Sequence, residues 1–485
     1  MYPNGMPILY LPRRVMKNAL TAYFLALGVV TIMYISHRMA WYFMLFGIIG
    51  VMVFFVYGRQ LSKEMSVPAI HKAEKFEKRI FFLAFVLRLL FVLLMYWSFL
   101  YQYGNAFGFE NADASYYHSL GAYVADLIWQ GDFHFYDRIS FWSGRDDISD
   151  MGYGIYLGVV YLLTDNNILV ARVLKCVWSA LTVLLVYRLA KRSMGEQTAR
   201  VAAVFCALWP NFWYYCSAHL KETEMVFLTV LYVEQADQML RSRQFTAWKV
   251  IPVLLIAAVL FTFRTPLGLV ALLALLFALV MSSTKVVSWG KRVIIGILAI
   301  AFVGVVAGTR IEERANSLIE QVLENQQQTN MEWRSQREHG NKYARYASSA
   351  IFAPMIFTLP FPTMVSAYDG QKVQQLNNGG NFIKNVMSFF TILALFSLLL
   401  SGHWRNHALP LAFLLGYLLV LTMSAFPHSE RFHQPAMPFE MMFMSYGLAV
   451  AMSQKKYKRW YSYWCVVMFI AVVAWNWFKM KGRGL

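Results

Sequence analysis

Glu110-Asn-Ala-Asp113-Ala-Ser-Tyr-Tyr117-His118-Ser-Leu-Gly-Ala-Tyr123 is an acidic patch running into an amphipathic stretch, set between apolar runs long enough to cross a bilayer. Over 114–128, Tyr116, Leu120, Tyr123, Val124, Leu127 and Ile128 recur at helical spacing. They give one apolar face to a helix too polar to span. Such a helix is expected to lie along a membrane surface. A charge at the centre of a spanning helix costs about 2.5–3.5 kcal/mol, so carboxylates kept at a membrane boundary point to chemistry there.

Outward from this stretch the chain is 58% hydrophobic, 17% aromatic and 14% charged, with mean hydropathy +0.45. Soluble domains carry about 25% charged residues. The composition therefore excludes a soluble globular class and indicates an all-α polytopic membrane protein. About 20 apolar residues cross a bilayer. Candidate spans fall near 18–36, 40–57, 79–101, 168–189, 200–217, 223–240, 249–263, 266–282, 292–308, 382–401, 408–425, 436–453 and 459–477. The pairs 18–57 and 249–282 read as helical hairpins. Cys176, Cys206, Cys216 and Cys465 lie in apolar runs without paired spacing, so they read as small core residues. Arg13, Arg14 and Lys17 precede the first run without a small-residue cleavage site, which predicts a retained first helix.

The net charge of +18 sits in short loops between apolar runs, the pattern of the positive-inside rule. No basic stripe interleaved with aromatics stands apart from the spans, so no nucleic-acid partner is expected. Lys and Arg after the second, fourth, sixth, eighth and twelfth spans share one side when the N-terminus is cytoplasmic. Lys479, Lys481 and Arg483 then fall outside, against the rule. The expected organisation is a helical hairpin with a basic cytoplasmic loop (1–78), a catalytic transmembrane module (79–308) with a first external loop (102–165), a second external loop (309–381), and C-terminal transmembrane helices (382–485). In the second loop Phe352 to Pro362 is apolar but broken by prolines. It is expected to be re-entrant or interfacial, with its backbone buried in protein.

Asp113 reads as a helix N-cap or as a base held at the membrane face, with Tyr117 and His118 about one turn later. Glu110 is near enough to tune it, and with His118 the two carboxylates could hold a divalent metal. Asp146, Asp147, Asp150 and the glycines of Asp150-Met-Gly-Tyr153-Gly154 read as a solvated loop or as a second acidic element entering the membrane through a tight turn. His219-Leu-Lys221-Glu222 reads as a local ion pair closing a turn, or as Lys221 on a phosphate oriented by Glu222. Arg264 divides a hydrophobic hairpin, where an arginine either snorkels to headgroups or meets an anion. Pro427-His428-Ser-Glu430-Arg431-Phe-His433-Gln-Pro435 brings arginine and histidines to the mouth of a helix. There they cap it beside a surface Arg-Glu pair or bind phosphate. Arg172 and Lys175, inside the fourth span, are expected to pair with neighbours or lipid. No nucleotide-binding glycine loop, His-Glu-x-x-His or Gly-x-Ser-x-Gly turn occurs.

In their order along 79–453 these features resemble the GT-C superfamily of membrane glycosyltransferases, which includes protein O-mannosyltransferases and the aminoarabinose transferase of lipid A. The features are Asp113-Ala-Ser-Tyr-Tyr-His118, Asp150-Met-Gly-Tyr153, Lys221-Glu222, Pro360-Phe361-Pro362 and Arg431 to Pro438. The chain departs from the pattern in placing two spans before the helix that leads into the first loop. It also separates Glu110 from Asp113, where several members carry adjacent acids. The resemblance implies a GT-C-like bundle of about 13 spans and a polyprenyl-phosphate-linked sugar as donor. It implies a glycan, lipid or protein acceptor and a catalytic role for Asp113.

The expected reaction is inverting sugar transfer at the external, periplasmic-type face of an inner (plasma) membrane. Asp113 acts as base, and Lys221, Arg264 and Arg431 with His219, His428 or His433 receive the leaving phosphate. Alternatives are a polymerase or ligase acting on diphosphate-linked glycans and, third, a transporter. A transporter tends to show paired halves and broken helices at the midplane.

Overall fold

The apolar runs become helices whose polar breaks gather at two ends. The computed structural model describes residues 9–35, 41–65, 73–144, 148–242, 247–284, 286–307, 326–336, 340–346, 348–365, 372–424 and 426–484. Among them, α1 is Arg13–Met33, α2 Trp41–Met52, α3 Gly58–Met65, α4 Ala73–Tyr103, α5 Asn111–Trp129, α6 Phe135–Ser143, α7 Met151–Thr164 and α8 Ile168–Met194. Then come α9 Glu196–Ala207, α10 Pro210–Ser217, α11 Glu222–Arg241, α12 Val250–Phe263, α13 Thr265–Met281, α14 Trp289–Ala307 and α15 Gln326–Gln336. The chain continues with α16 Ser349–Met355, α17 Lys372–Leu376, α18 Asn378–Leu400, α19 Ala408–Met423, α20 Glu430–His433, α21 Met437–Ser453 and α22 Lys455–Lys481. No strand occurs among the described residues. Seven helical stretches among them are long and apolar enough to cross a membrane: α1, α2 running on through α3, α4, α8, α18, α19 with its leading turn, and α22. The protein is an all-α, polytopic membrane protein, as its composition requires.

One expected span is not continuous. The run 200–217 breaks at Trp209–Pro210 into α9 and α10. Proline has no N–H, so the Cys206 carbonyl loses its helical donor. Arg88, fully buried in the apolar α4, replaces it. Its Nη2 donates to Cys206 O at 3.1 Å and its Nη1 to Ala207 O at 3.1 Å, while Nε donates to Ser179 Oγ at 2.6 Å. An arginine inside hydrocarbon is tolerated because carbonyls at a helix C-terminus carry partial negative charge. Arg88→Leu is expected to leave the Cys206 carbonyl buried and unpaired, at a cost of about 1–3 kcal/mol. A lower unfolding midpoint of the detergent-solubilised protein, followed by tryptophan fluorescence, checks this.

The first part of the proline-broken segment ends helix α16, with Ala353 and Pro354 exposed, whereas 358–365 is irregular and buried, with Leu359, Met364 and Val365 almost fully covered. Two asparagines meet its backbone. Asn385 Nδ2 of α18 donates to the Thr358 and Pro360 carbonyls. Asn476 of α22 accepts from Met364 N at 2.8 Å and donates to Pro362 O at 3.0 Å.

The basic turns collect at one end of the bundle. Leu9 N bonds Gln197 Oε1 at 3.0 Å, Arg14 bonds Ser462 at 3.2 Å, and Lys291 bonds the Leu240 carbonyl at 3.1 Å. Arg192 at the end of α8 pairs with Glu234 at 2.7 Å and Asp237 at 3.2 Å, late in α11. The C-terminal end of α22 lies at the opposite end. There Lys479 is buried and donates to Thr363 Oγ1 at 2.6 Å and to Gln374. Its contacts with the proline-rich loop give a structural reason for a basic terminus that runs against the charge rule. All four cysteines are buried and free, as core residues should be.

Candidate active site

At the end opposite the basic turns, α5 and α7 lie side by side and run in the same direction. Glycines allow the contact. A Cβ at Gly154 would stand 2.6 Å from Leu120 Cδ2, and one at Gly158 2.5 Å from Val124 Cγ1. The expected tight turn at Gly152–Gly154 is therefore not a turn, because these residues lie inside α7. Asp150, in the left-handed region at φ 78°, makes the turn instead.

Asp113 is not an N-cap, since α5 begins two residues earlier. Its side chain keeps 53% exposure and its Oδ2 meets Arg431 Nη1. Arg431, in the short α20, reaches back across the bundle and also places its Nε on Oε1 of the fully buried Glu222. Burial acts to lower the Arg431 proton affinity, but Glu222 and Asp113 outweigh it and hold it above its ordinary value. Two local pairings expected from sequence are corrected here. Glu222 ion-pairs with Arg431 and feels the charge of Lys221, whose own carboxylate partner is Asp150. Arg431 pairs with Glu222 and Asp113 and not with its neighbour Glu430, which is buried near Asn377 and Lys479.

Lys221 is buried, ion-pairs with Asp150 Oδ1 and donates to the Phe263 carbonyl at 2.6 Å. Arg264 is half-buried at the joint of α12 and α13, with its guanidinium 4.3 Å over the Phe432 ring. It meets no carboxylate at ion-pair distance among the described residues, although its charge is felt at Glu222 and Tyr117. Tyr117 is buried among Glu222, Arg431, Asp113 and Arg264, and burial raises its pKa. Its ring stands edge-on to Tyr153 at 5.0 Å.

The histidines fall into separate places. His118 Nδ1 lies 2.9 Å from the Tyr161 hydroxyl, which lies 3.0 Å from His219 Nε2. Burial lowers the pKa of both histidines, so this chain of groups is neutral at pH 7. His433 is held by other partners. Its Nδ1 takes Lys384 Nζ at 2.7 Å and its Nε2 donates to the Pro427 carbonyl at 2.8 Å. Lys384 in turn pairs with Glu440 at 3.2 Å. His428 is half-buried on the same turn. Glu110 ends a short 3-10 turn, Gly108–Glu110, directly before α5. Asp146 and Asp147 lie outside the described residues. Among the described residues no three His, Cys, Asp or Glu side chains cluster so as to hold a metal.

Sequence reasoning passed over Tyr161, a tyrosine in an apolar run with no local signal. It also passed over Glu224, which pairs with Lys175 at 3.1 Å, both buried. The signal for Glu224 was a second acid opening a membrane helix. Lys175 and Arg172 do bond neighbours, Arg172 through the Ala106 carbonyl.

Beside the cations runs an apolar groove of about 430 Å³, walled by Ile155, Tyr156, Trp178, Phe227, Leu228, Val259 and Phe263. Phe263 joins the two features: its ring lines the groove and its carbonyl holds Lys221. The arrangement gathers a half-exposed carboxylate paired with Arg431, the neighbouring Arg264 and Lys221, and an apolar cavity that shares Phe263 with Lys221.

The model of the dolichyl-phosphate-mannose-protein mannosyltransferase family matches residues 153–308. The match supports a membrane glycosyltransferase of the GT-C type. It takes in Tyr153, His219, Lys221, Glu222 and Arg264, and leaves Asp113 and Arg431 outside. No curated protein and no solved structure matches the chain.

Proposed function

We propose that the protein is an inverting glycosyltransferase that moves a sugar from a polyprenyl phosphate to an acceptor at the outer face of a plasma membrane. The observation that carries this reading is the juxtaposition of Asp113 with Arg431, Lys221 and Arg264 at one end of a membrane bundle, beside an apolar groove. The basic turns at the other end support a cytoplasmic position for that end.

Asp113 takes the proton from the acceptor hydroxyl or amine as its oxygen or nitrogen attacks the anomeric carbon. The bond from that carbon to the phosphate oxygen breaks, and the phosphate departs with the electron pair. A phosphate with a second pKa of about 6 leaves without a proton donor. It needs positive charge, which Lys221, Arg264 and Arg431 supply. A lipid tail fits the groove, since apolar surface there is otherwise left to bulk lipid.

Deleting the gene is expected to remove at least one sugar-bearing glycan, lipid or protein from the cell envelope, read by mass spectrometry. The wild-type chain should restore it, with the free polyprenyl phosphate released in equal amount. An unchanged envelope would overturn the reading.

A further inference from the structure

We propose that Glu222 is a positioning residue that anchors Arg431 so that its outer arm is shared in turn by Asp113 and the donor phosphate. The empty site thereby keeps its base occupied until the donor arrives. The inference rests on the reading of Arg431 as a phosphate cation given above.

The two carboxylates on Arg431 differ in kind. Glu222 is fully buried and grips Nε, while Asp113 is half exposed and touches only Nη1. A surface ion pair is weak and easily exchanged. Breaking a buried pair leaves an uncompensated charge and is strongly resisted. The backbone that carries Arg431 is pinned as well, because Lys384 and the Pro427 carbonyl hold His433 two residues later. The exchangeable contact is therefore the one to Asp113. The donor's phosphodiester carries one full negative charge over two oxygens, so it accepts two of the guanidinium N–H groups where Asp113 accepts one, and the polyprenyl phosphate left after transfer, a monoester of about −1.5 to −2 charge, binds there more strongly still. Once Nη1 turns to the phosphate, the Asp113 carboxylate is released toward the acceptor. Donor then binds before acceptor, and the base is not exposed beside an empty donor site.

The test is titration calorimetry of the full chain in detergent with farnesyl phosphate, and separately with inorganic phosphate. Wild type, Asp113→Asn and Glu222→Gln are compared, with unfolding midpoints as the check on folding. Removing the competing charge in Asp113→Asn is expected to tighten binding of both probes by about threefold to fivefold. Glu222→Gln is expected to weaken both by about tenfold or more. Equal or weaker binding by a folded Asp113→Asn protein overturns the proposal while leaving the transferase reading standing. So does tightening confined to farnesyl phosphate, which would place the gain on the tail. Failure of wild type to bind farnesyl phosphate, the short form of the departing lipid phosphate, removes the reading of these cations as a phosphate site, and the proposal with it. Should Glu222→Gln fail to fold, Glu222→Asp, which keeps the charge and draws it back from Nε, takes its place, and unchanged binding by either folded variant removes Glu222 as the anchor of Arg431.

Discussion

Asp113→Asn is expected to lower the turnover of sugar transfer by about 10²–10⁴-fold, the range of a lost general base. Asparagine keeps the shape of the side chain and loses its charge and its capacity to take a proton. Asp113 is half exposed, and a surface pair contributes about 0–1 kcal/mol, so the variant should unfold close to the wild-type midpoint. Because the proton moves only in the transition state, the loss belongs in kcat. The donor KM should fall, since Arg431 no longer has Asp113 to hold. Turnover and donor KM of the purified variant, with its unfolding midpoint, check both halves. Activity within tenfold of wild type would remove Asp113 from the chemistry. A large loss with an intact fold also argues against a polymerase or ligase that relies on arginines alone.

The bundle was legible in the sequence because hydrocarbon imposes a length and a composition on each span. The helix carrying Asp113 was legible because apolar residues recur at helical spacing over 114–128, and that face, through Leu120 and Val124, packs on α7 at Gly154 and Gly158. Partners were not. Asp113 and Arg431 are 318 residues apart, and no local pattern records that they meet. Where sequence did suggest partners, it chose neighbours: Lys221 with Glu222, and Arg431 with Glu430. Adjacent residues on a helix point to different sides, and in both cases the true partner comes from another helix. Lys221 finds Asp150 and Arg431 finds Glu222. The break at Pro210 was visible as a proline but was read through as a continuous span. The residue that makes the break tolerable, Arg88, sits 118 positions away from the carbonyl it serves. Tyr161 carried no signal at all, since a tyrosine in an apolar run looks like packing until its hydroxyl is seen between two histidines.

Lys221→Met is expected to lower turnover by about 10²–10³-fold, the usual loss of one preorganised donor to a developing anion. Lys221 is nearly fully buried, and its ammonium is shared between the Asp150 carboxylate and the Phe263 carbonyl at the head of the groove. A bland account is available, in which the lysine serves only to neutralise Asp150. The double variant Asp150→Asn with Lys221→Met separates the two. If the lysine exists for Asp150, removing both charges relieves the unpaired carboxylate and restores turnover along with stability. If it serves the leaving phosphate, stability returns while turnover remains down by about the same 10²–10³. Coupling between such neighbours should be large in the unfolding midpoint and small in kcat, and that is what a double-mutant cycle reads. The second outcome is expected, because Arg264 and Arg431 stand at the same site and Lys221 is tied to the groove through Phe263. A lysine needed only by Asp150 would have no reason to sit where an apolar channel meets two arginines.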